Sequence, residues 1–144
     1  MADPTKRVSA KVIITTEDGS ILLVKDHWKN HWSFPGGVSE IGEAPTVTAL
    51  REVLEETSIQ LQAEDLQFLG VRYRGDGDRD SLQFMFAASR SREFIETNFF
   101  AADGEGEAWR LVSVAEAEAM LEEPTAASLA TFLAAQKSGA QLYE

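Results

Sequence analysis

Short runs of β-branched and aromatic residues, separated by polar turns, dominate the first part of the chain. Val8 to Thr16 is rich in β-branched residues and stops at Asp18-Gly19, a dipeptide suited to a tight turn between strands. Ile21 to Lys25 is the expected partner strand. His27 to Gly37 carries Trp28, Trp32, Phe34, Pro35, Gly36 and Gly37, and reads as a loop with a short extended part. The pattern then changes to helical spacing from about Thr46 to Thr57, with Pro45 suited to the first helical position. At about 100° per residue, Val47, Leu50, Val53 and Leu54 share one arc, which is expected to face the core.

Leu66 to Arg74 and Ser81 to Ala88 have strand composition. Gly75-Asp76-Gly77-Asp78 lies between them, so a second hairpin is expected. Phe94 to Phe100 fits either helix or strand, and Ala101 to Glu107 reads as a Gly/acid loop. Trp109 to Val112 reads as a short strand. Ser113 with Glu116 makes a capping box for a helix to about Leu121. Pro124 ends that region, and Ala126 to Gln136 reads as a final helix. Strands outnumber helices, which predicts an α+β fold with a mixed sheet between helices. Tyr73, Phe84 and Phe86 are expected mostly in the core.

The chain has 144 residues, a size that fits one domain spanning 1–144. A chain of this length buries roughly 68–70% of the surface its unfolded form exposes, so a core can form without staples. With no cysteine, disulfides and thiolate metal sites are excluded. The start, MADPTKRVSAKV, has no apolar stretch of signal-peptide length, and no apolar run approaches the ~20 residues of a membrane helix. A soluble, cytoplasmic protein is expected, with no membrane partner. The net charge is −11. Such a field repels nucleic acid, and also any anionic substrate unless bound cations reverse its sign locally.

Glu52, Glu55 and Glu56 share a second arc of the helix, about 100° wide. As helix design this is unfavourable. Glu52 and Glu56 are a like-charge i,i+4 pair costing roughly 0.2–0.5 kcal/mol. Glu55 and Glu56 also lie near the C-terminal end, where the dipole disfavours anions by roughly 0.3–1 kcal/mol. Clustered carboxylates suit Mg²⁺ or Mn²⁺; a solvated acidic face is the other reading of the spacing alone. Gly36-Gly37 lets backbone approach a metal or phosphate closely. Arg51 adjoins the acidic face and is placed to pair with Glu43, orienting the cluster.

Gly37, five residues, Glu43, seven residues, then Arg51-Glu52-Val53-Leu54-Glu55-Glu56-Thr57-Ser58-Ile59 resembles the box of the Nudix (MutT-like) hydrolase family. Trp32-Ser33-Phe34-Pro35-Gly36-Gly37 is similar to the family's lead-in, and the order of elements is similar over most of the chain. The resemblance implies an α/β/α sandwich and Mg²⁺-dependent hydrolysis of a nucleoside diphosphate linked to another moiety, with Mn²⁺ as a substitute. It implies that Glu52, Glu55 and Glu56 bind metal, with Glu52 the expected acceptor of the proton from water. The Gly36 carbonyl is a further expected ligand. Glu105, with Glu107 beside it, is the acid expected from a loop outside the box. The family pattern has Gly where this chain has Ser58. A residue just past a helix often takes a left-handed conformation, which strains serine by on the order of 1 kcal/mol.

For substrate binding, Arg72 and Arg74 alternate along a strand and face the same side, where they would hold phosphates. Trp32, Phe34 or Trp28 would stack on a base. His27 and His31 read as ordinary surface histidines. The chain lacks a proline between Pro45 and Pro124, a position where some ADP-ribose-cleaving relatives carry one. That disfavours ADP-ribose, and the small size suits a (d)NTP-type or dinucleoside-polyphosphate substrate. ADP-ribose, a non-nucleotide diphosphate, or a catalytically silent nucleotide-binding module are the alternatives. No basic patch with interleaved aromatics points to RNA, and assembly into an oligomer is left open.

Overall fold

A computed structural model describes residues 5–25, 31–76, 79–99 and 109–143. The elements run β1 (Arg7–Thr15), β2 (Ile21–Lys25), β3 (Trp32–Ser33), β4 (Gly36–Val38), α1 (Pro45–Thr57) and a 3₁₀ turn (Ala63–Asp65). There follow β5 (Gln67–Asp76), β6 (Arg79–Ser89), α2 (Arg92–Asn98), β7 (Trp109–Val112), α3 (Val114–Met120), α4 (Thr125–Ser138) and β8 (Leu142–Tyr143). The strands form one mixed sheet. β1 runs parallel to β6, and β5 and β6 form an antiparallel hairpin.

Helices cover both faces of this sheet, because successive strand residues point to opposite sides. Val12 and Ile14 of β1 pack with Ala49 and Val53 of α1 and with Ile95 of α2. Ile13 packs on the other side with Met85, Ala117 of α3, and Leu129 and Phe132 of α4. The arrangement is the expected α/β/α sandwich. A bulge between Phe68 and Gly70 shifts β5 by one residue, so Phe68 serves the first cluster and Leu69 the second.

Several elements differ from the sequence-based expectation. The segment around Phe94 is helical because Ser91 caps it, its Oγ accepting from the Phe94 amide. The first hairpin diverges at once. β1 and β2 pair only at Thr15↔Ile21, and β2 continues along β7 from Ile21↔Val112 to Val24↔Trp109. β4 takes the rest of that edge of β1, pairing Ser9–Lys11 with Val38–Gly36. The short β8 was not anticipated; it pairs with β5 at Gly70 and Val71.

The helix α1 is rotated from the expected arc. Its buried residues are Thr48, Ala49, Val53 and Thr57, while Val47 and Leu54 are 52% and 46% exposed. α1 packs against β4 as well as β1. Burial therefore extends toward Thr48 and Glu52, away from Val47 and Leu54. The Thr57 hydroxyl is satisfied within the helix, donating to the Val53 carbonyl. Tyr73 is also exposed, at the open end of β5, where its hydroxyl donates to Asp80. Among the described residues, no helix is long and apolar enough to cross a membrane.

Candidate active site

Local geometry brings the box carboxylates to the β4 edge. Gly36 has φ +152°, and a side chain there would collide with the Ala10 carbonyl 2.1 Å away, so only glycine permits this pairing with β1. Gly37 leaves space of a different kind. A Cβ built on it would lie 2.5–2.9 Å from the Glu52 carboxylate. Glu52 therefore occupies the volume that a side chain at 37 would fill. Glu56 Oε2 lies 3.4 Å from the Gly36 amide nitrogen, at the long end for a hydrogen bond.

Arg51 organises these acids. Its Nε and Nη2 donate to the two oxygens of Glu43 at 2.8 and 2.9 Å, a bidentate fork. Its Nη1 reaches Glu52 at 3.0 Å and Glu55 at 3.2 Å. Glu43 also accepts from the Thr48 hydroxyl at 2.7 Å, and Thr48 in turn contacts Ser39 Oγ at 2.6 Å. The guanidinium first, and the Thr48 hydroxyl second, hold the Glu43 carboxyl down at about 2 from an ordinary 4.5. Glu43 in turn raises Arg51 further above its already high value. The pair is a fixed ionic clamp at any physiological pH.

Beyond the last turn, Ser58 adopts φ 63°, ψ 9°, the left-handed conformation expected of glycine. Its amide still bonds the Leu54 carbonyl at 2.9 Å. The helix thus keeps its end, and Glu55 and Glu56 stay in register with Glu52.

A cleft of about 770 Å³ opens beside β4. Its floor is the sheet face that elsewhere lies under α4. Along β1 that face reads Ile13, Lys11, Ser9, Arg7. On β6 it reads Met85, Gln83, Ser81. On β5, Arg72 and Arg74 lie opposite Gln83 and Ser81. Apolar residues give way to polar ones beyond the first turn of α4, where the helix no longer covers the sheet. Glu122, Glu123 and Pro124 form the opposite lip.

Residues 5–136 match the family model described as NUDIX domain. The chain belongs to the NUDIX family. Two curated relatives match over shorter stretches. "Nucleoside diphosphate-linked moiety X motif 6" of Xenopus laevis is 44% identical over 70 residues, which is 47% of this chain and 32% of that protein. A "MutT-like protein" of Streptomyces ambofaciens is 36% identical over 63 residues, 44% of this chain and 41% of that protein. The matched stretches thus cover less than half the length of either relative. Among solved structures, a MutT protein from Methanosarcina mazei superposes with a TM-score of 0.74 at 18% identity, covering 95% of this chain and 99% of that one. A Caenorhabditis elegans Ap4A hydrolase complex gives 0.68 at 18%, covering 93% and 99%. Both likenesses concern the fold.

Within this Nudix domain, the expected site residues separate into two groups. Glu43, Arg51, Glu52, Glu55, Glu56 and Gly36 come together around the first half of β4. Glu55 is the most solvent-open of the acids, its side chain 57% exposed against 17% for Glu52. Among the described residues, no three acidic or imidazole side chains stand close enough to form a closed cation cage. The donor set nevertheless fits a hard divalent cation. It offers carboxylate oxygens of Glu52 and Glu56 over a glycine backbone that admits close approach. Glu105 and Glu107, with His27, Trp28 and the Gly77-Asp78 turn, lie outside the described residues.

The substrate-side expectations change more. Arg74 lines the cleft as expected. Arg72 does not present itself to a phosphate. It is 3% exposed, its Nη2 donating to Gln83 Oε1 at 2.8 Å and Thr125 Oγ1 at 3.2 Å, with the guanidinium over the Phe132 ring. The Phe34 ring is 2% exposed in the core, so it offers no face to a base. Its carbonyl instead accepts from Lys11 Nζ at 3.3 Å. Trp32 lines a recess of about 120 Å³ beside the cleft, its ring flanked by Arg110 and Lys25. His31 there faces Glu122 at 3.8 Å. Sequence reasoning missed Arg7, Lys11 and Gln83. The signal was present: the change from apolar to polar on alternate residues of β1 and β6 marks the uncovered part of the sheet.

Proposed function

We propose that this chain is a divalent-metal-dependent hydrolase that cleaves the diphosphate bond of a nucleoside diphosphate derivative, a (d)NTP-type or dinucleoside-polyphosphate molecule. One observation carries the reading. The Glu52 and Glu56 carboxylates are delivered to the Gly36-Gly37 edge, beside a cleft whose floor bears Arg7, Lys11 and Arg74. In an acidic protein, such a cationic floor suits a polyphosphate chain. The names of relatives, "Nucleoside diphosphate-linked moiety X motif 6" and "Ap4A hydrolase", agree with this class.

In the proposed reaction water attacks one phosphorus, the bridging P–O bond breaks, and the leaving phosphate carries off the bond's electron pair. Glu52 takes the proton from the attacking water. Arg51, fixed by Glu43, keeps Glu52 and Glu55 oriented. Lys11 and Arg74 hold the phosphate oxygens. A bound Mg²⁺, or Mn²⁺ in its place, would supply charge neutralisation and a more acidic water, and Glu52, Glu55, Glu56 and the Gly36 carbonyl would hold it. Glu105 is proposed as an added ligand, and residues 1–144 as one domain.

The test is phosphate release from a nucleotide panel with and without Mg²⁺, on the parent chain and on Glu52→Gln and Glu56→Gln. Metal-dependent turnover that falls at least a hundredfold in both variants, with unfolding temperature retained, supports the reading. Equal turnover in all three proteins removes the site assignment, and no turnover in the parent removes the activity.

A further inference from the structure

The pair Arg72–Gln83 is a polar contact buried on the cleft floor, and the chemistry described above does not use it. Arg72 is 3% and Gln83 8% exposed. A guanidinium carries only donors, so the glutamine atom facing it at 2.8 Å is the amide oxygen. Turning the amide over would set its NH₂ against the guanidinium, donor against donor. Thr125 Oγ1 accepts from the same Arg72 nitrogen, tying the arginine to the first turn of α4. Gln83 is thereby locked with its NH₂ as the group left for a ligand.

Gln83 lines both the main cleft and the Trp32 recess. It is a Cα partner of Ser9, and Ser9 is a partner of Val38 next to Gly37. Two inter-strand spacings of about 4.8 Å therefore separate Gln83 from the glycine edge. At that distance of about 10 Å it serves a part of the substrate remote from the bond being cleaved. The recess beside it offers an aromatic wall.

We propose that Gln83 is a specificity residue that reads the nucleobase, and that Arg72 is its positioning residue. This rests on the nucleotide-hydrolase reading above. An amide that presents only donors accepts a base with a keto oxygen at that point and rejects one with an amino group. A free glutamine could turn to suit either; Arg72 removes that choice. The hydrogen bond gained on one side, against donors opposed on the other, corresponds to a preference of about tenfold or more.

Two substrate pairs exchange a keto oxygen for an amino group, the adjacent ring nitrogen changing with it from N–H to an acceptor: inosine against adenosine triphosphate, and uridine against cytidine triphosphate. With Mg²⁺ present, the keto member of at least one pair should show a KM about tenfold lower, with kcat much less affected. Gln83→Glu keeps an acceptor for Arg72 but removes the donor, so the KM ratio should collapse or reverse. Arg72→Met frees the amide to turn, and the ratio should fall toward one. No keto preference in the parent overturns the proposal, as does a preference that survives Gln83→Glu. Ribose 5-triphosphate, which has no base, is the control. If Gln83→Glu raises its KM as much as that of the keto nucleotide, the donor serves the phosphates and base reading is overturned. Calorimetric binding of methylene-bridged, uncleavable analogues of the same pairs separates this from failure of the enzymatic reading. A keto preference in binding without turnover would remove the activity and leave the specificity role standing.

Discussion

Gly37→Ala tests the packing of the site without disturbing the fold. The added methyl carbon would lie 2.5 Å from the Glu52 carboxyl carbon and 2.6 and 2.9 Å from its oxygens. Ordinary carbon contact begins near ~3.5 Å, so the carboxylate must retreat by about 1 Å. The atoms that give way are the tip of a flexible side chain, and Gly37 is not among the glycines with positive φ. Alanine therefore adds no backbone strain, and the unfolding temperature should stay within about 3 °C of the parent, the shift expected for ~1 kcal/mol in a chain of this size. Function should respond far more. A misplacement of about 1 Å in a catalytic group costs on the order of 100-fold, or ~2.7 kcal/mol of transition-state stabilisation. The 3.0 Å contact from Arg51 to Glu52 would be strained as well. The assay is Mg²⁺-dependent phosphate release at saturating nucleotide, run beside a thermal melt. Adding Glu52→Asp, one methylene shorter, should restore part of the rate by making room. A Gly37→Ala protein that melts normally and turns over within threefold of the parent would refute the placement of Glu52 against β4.

Two further outcomes follow from the clamp and the helix end. The Glu43 carboxyl is held below its ordinary 4.5, at about 2, so its contribution to stability is full above pH 4.5 and lost as pH falls through about 2. Glu43→Gln should lower the unfolding temperature at pH 7, and the gap to the parent should narrow from pH 4.5 downward; a gap constant over that range would count against the clamp. Ser58→Gly relieves the left-handed strain at φ 63°. Net of the greater freedom glycine has when unfolded, it should raise the unfolding temperature by about 2 °C with turnover unchanged, which a paired melt and rate measurement would check.

The longer strands were legible because β-branched runs between turn residues have few other solutions, and Ser113 with Glu116 announced α3 in full. Spacing also predicted that Arg51 meets Glu43, because a helix starting at Pro45 carries residue 51 back over the preceding loop. Neighbours distant in sequence were not legible. The rotation of α1 depends on β4 lying beside it, which no periodicity within the helix reports. Arg72 looked like a phosphate ligand because its burial depends on Thr125 and Phe132 of α4, far along the chain. Phe34 looked like a stacking residue because a loop between two tryptophans and a glycine pair gives no sign that its middle ring turns inward. For Gln83 the polar alternation of β6 marked only the face; the specific meaning of a single glutamine in a strand needs its partner Arg72 on β5.

The half-covered sheet face has a consequence for how such a chain can vary. On β1 and β6, core and recognition share one strand but occupy different ends of it. Ile13, Met85 and Ala87 are held by the helices above them, whereas Arg7, Ser9 and Gln83 answer chiefly to whatever enters the cleft. The open-end residues stand apart from the two apolar clusters, so ligand choice and foldedness are carried on one strand at different positions. Grafting the open-end residues of one such strand set onto another's closed end is accordingly the natural unit for redesign, and a change on β6 must travel with its Arg72-like neighbour on β5 to keep its meaning.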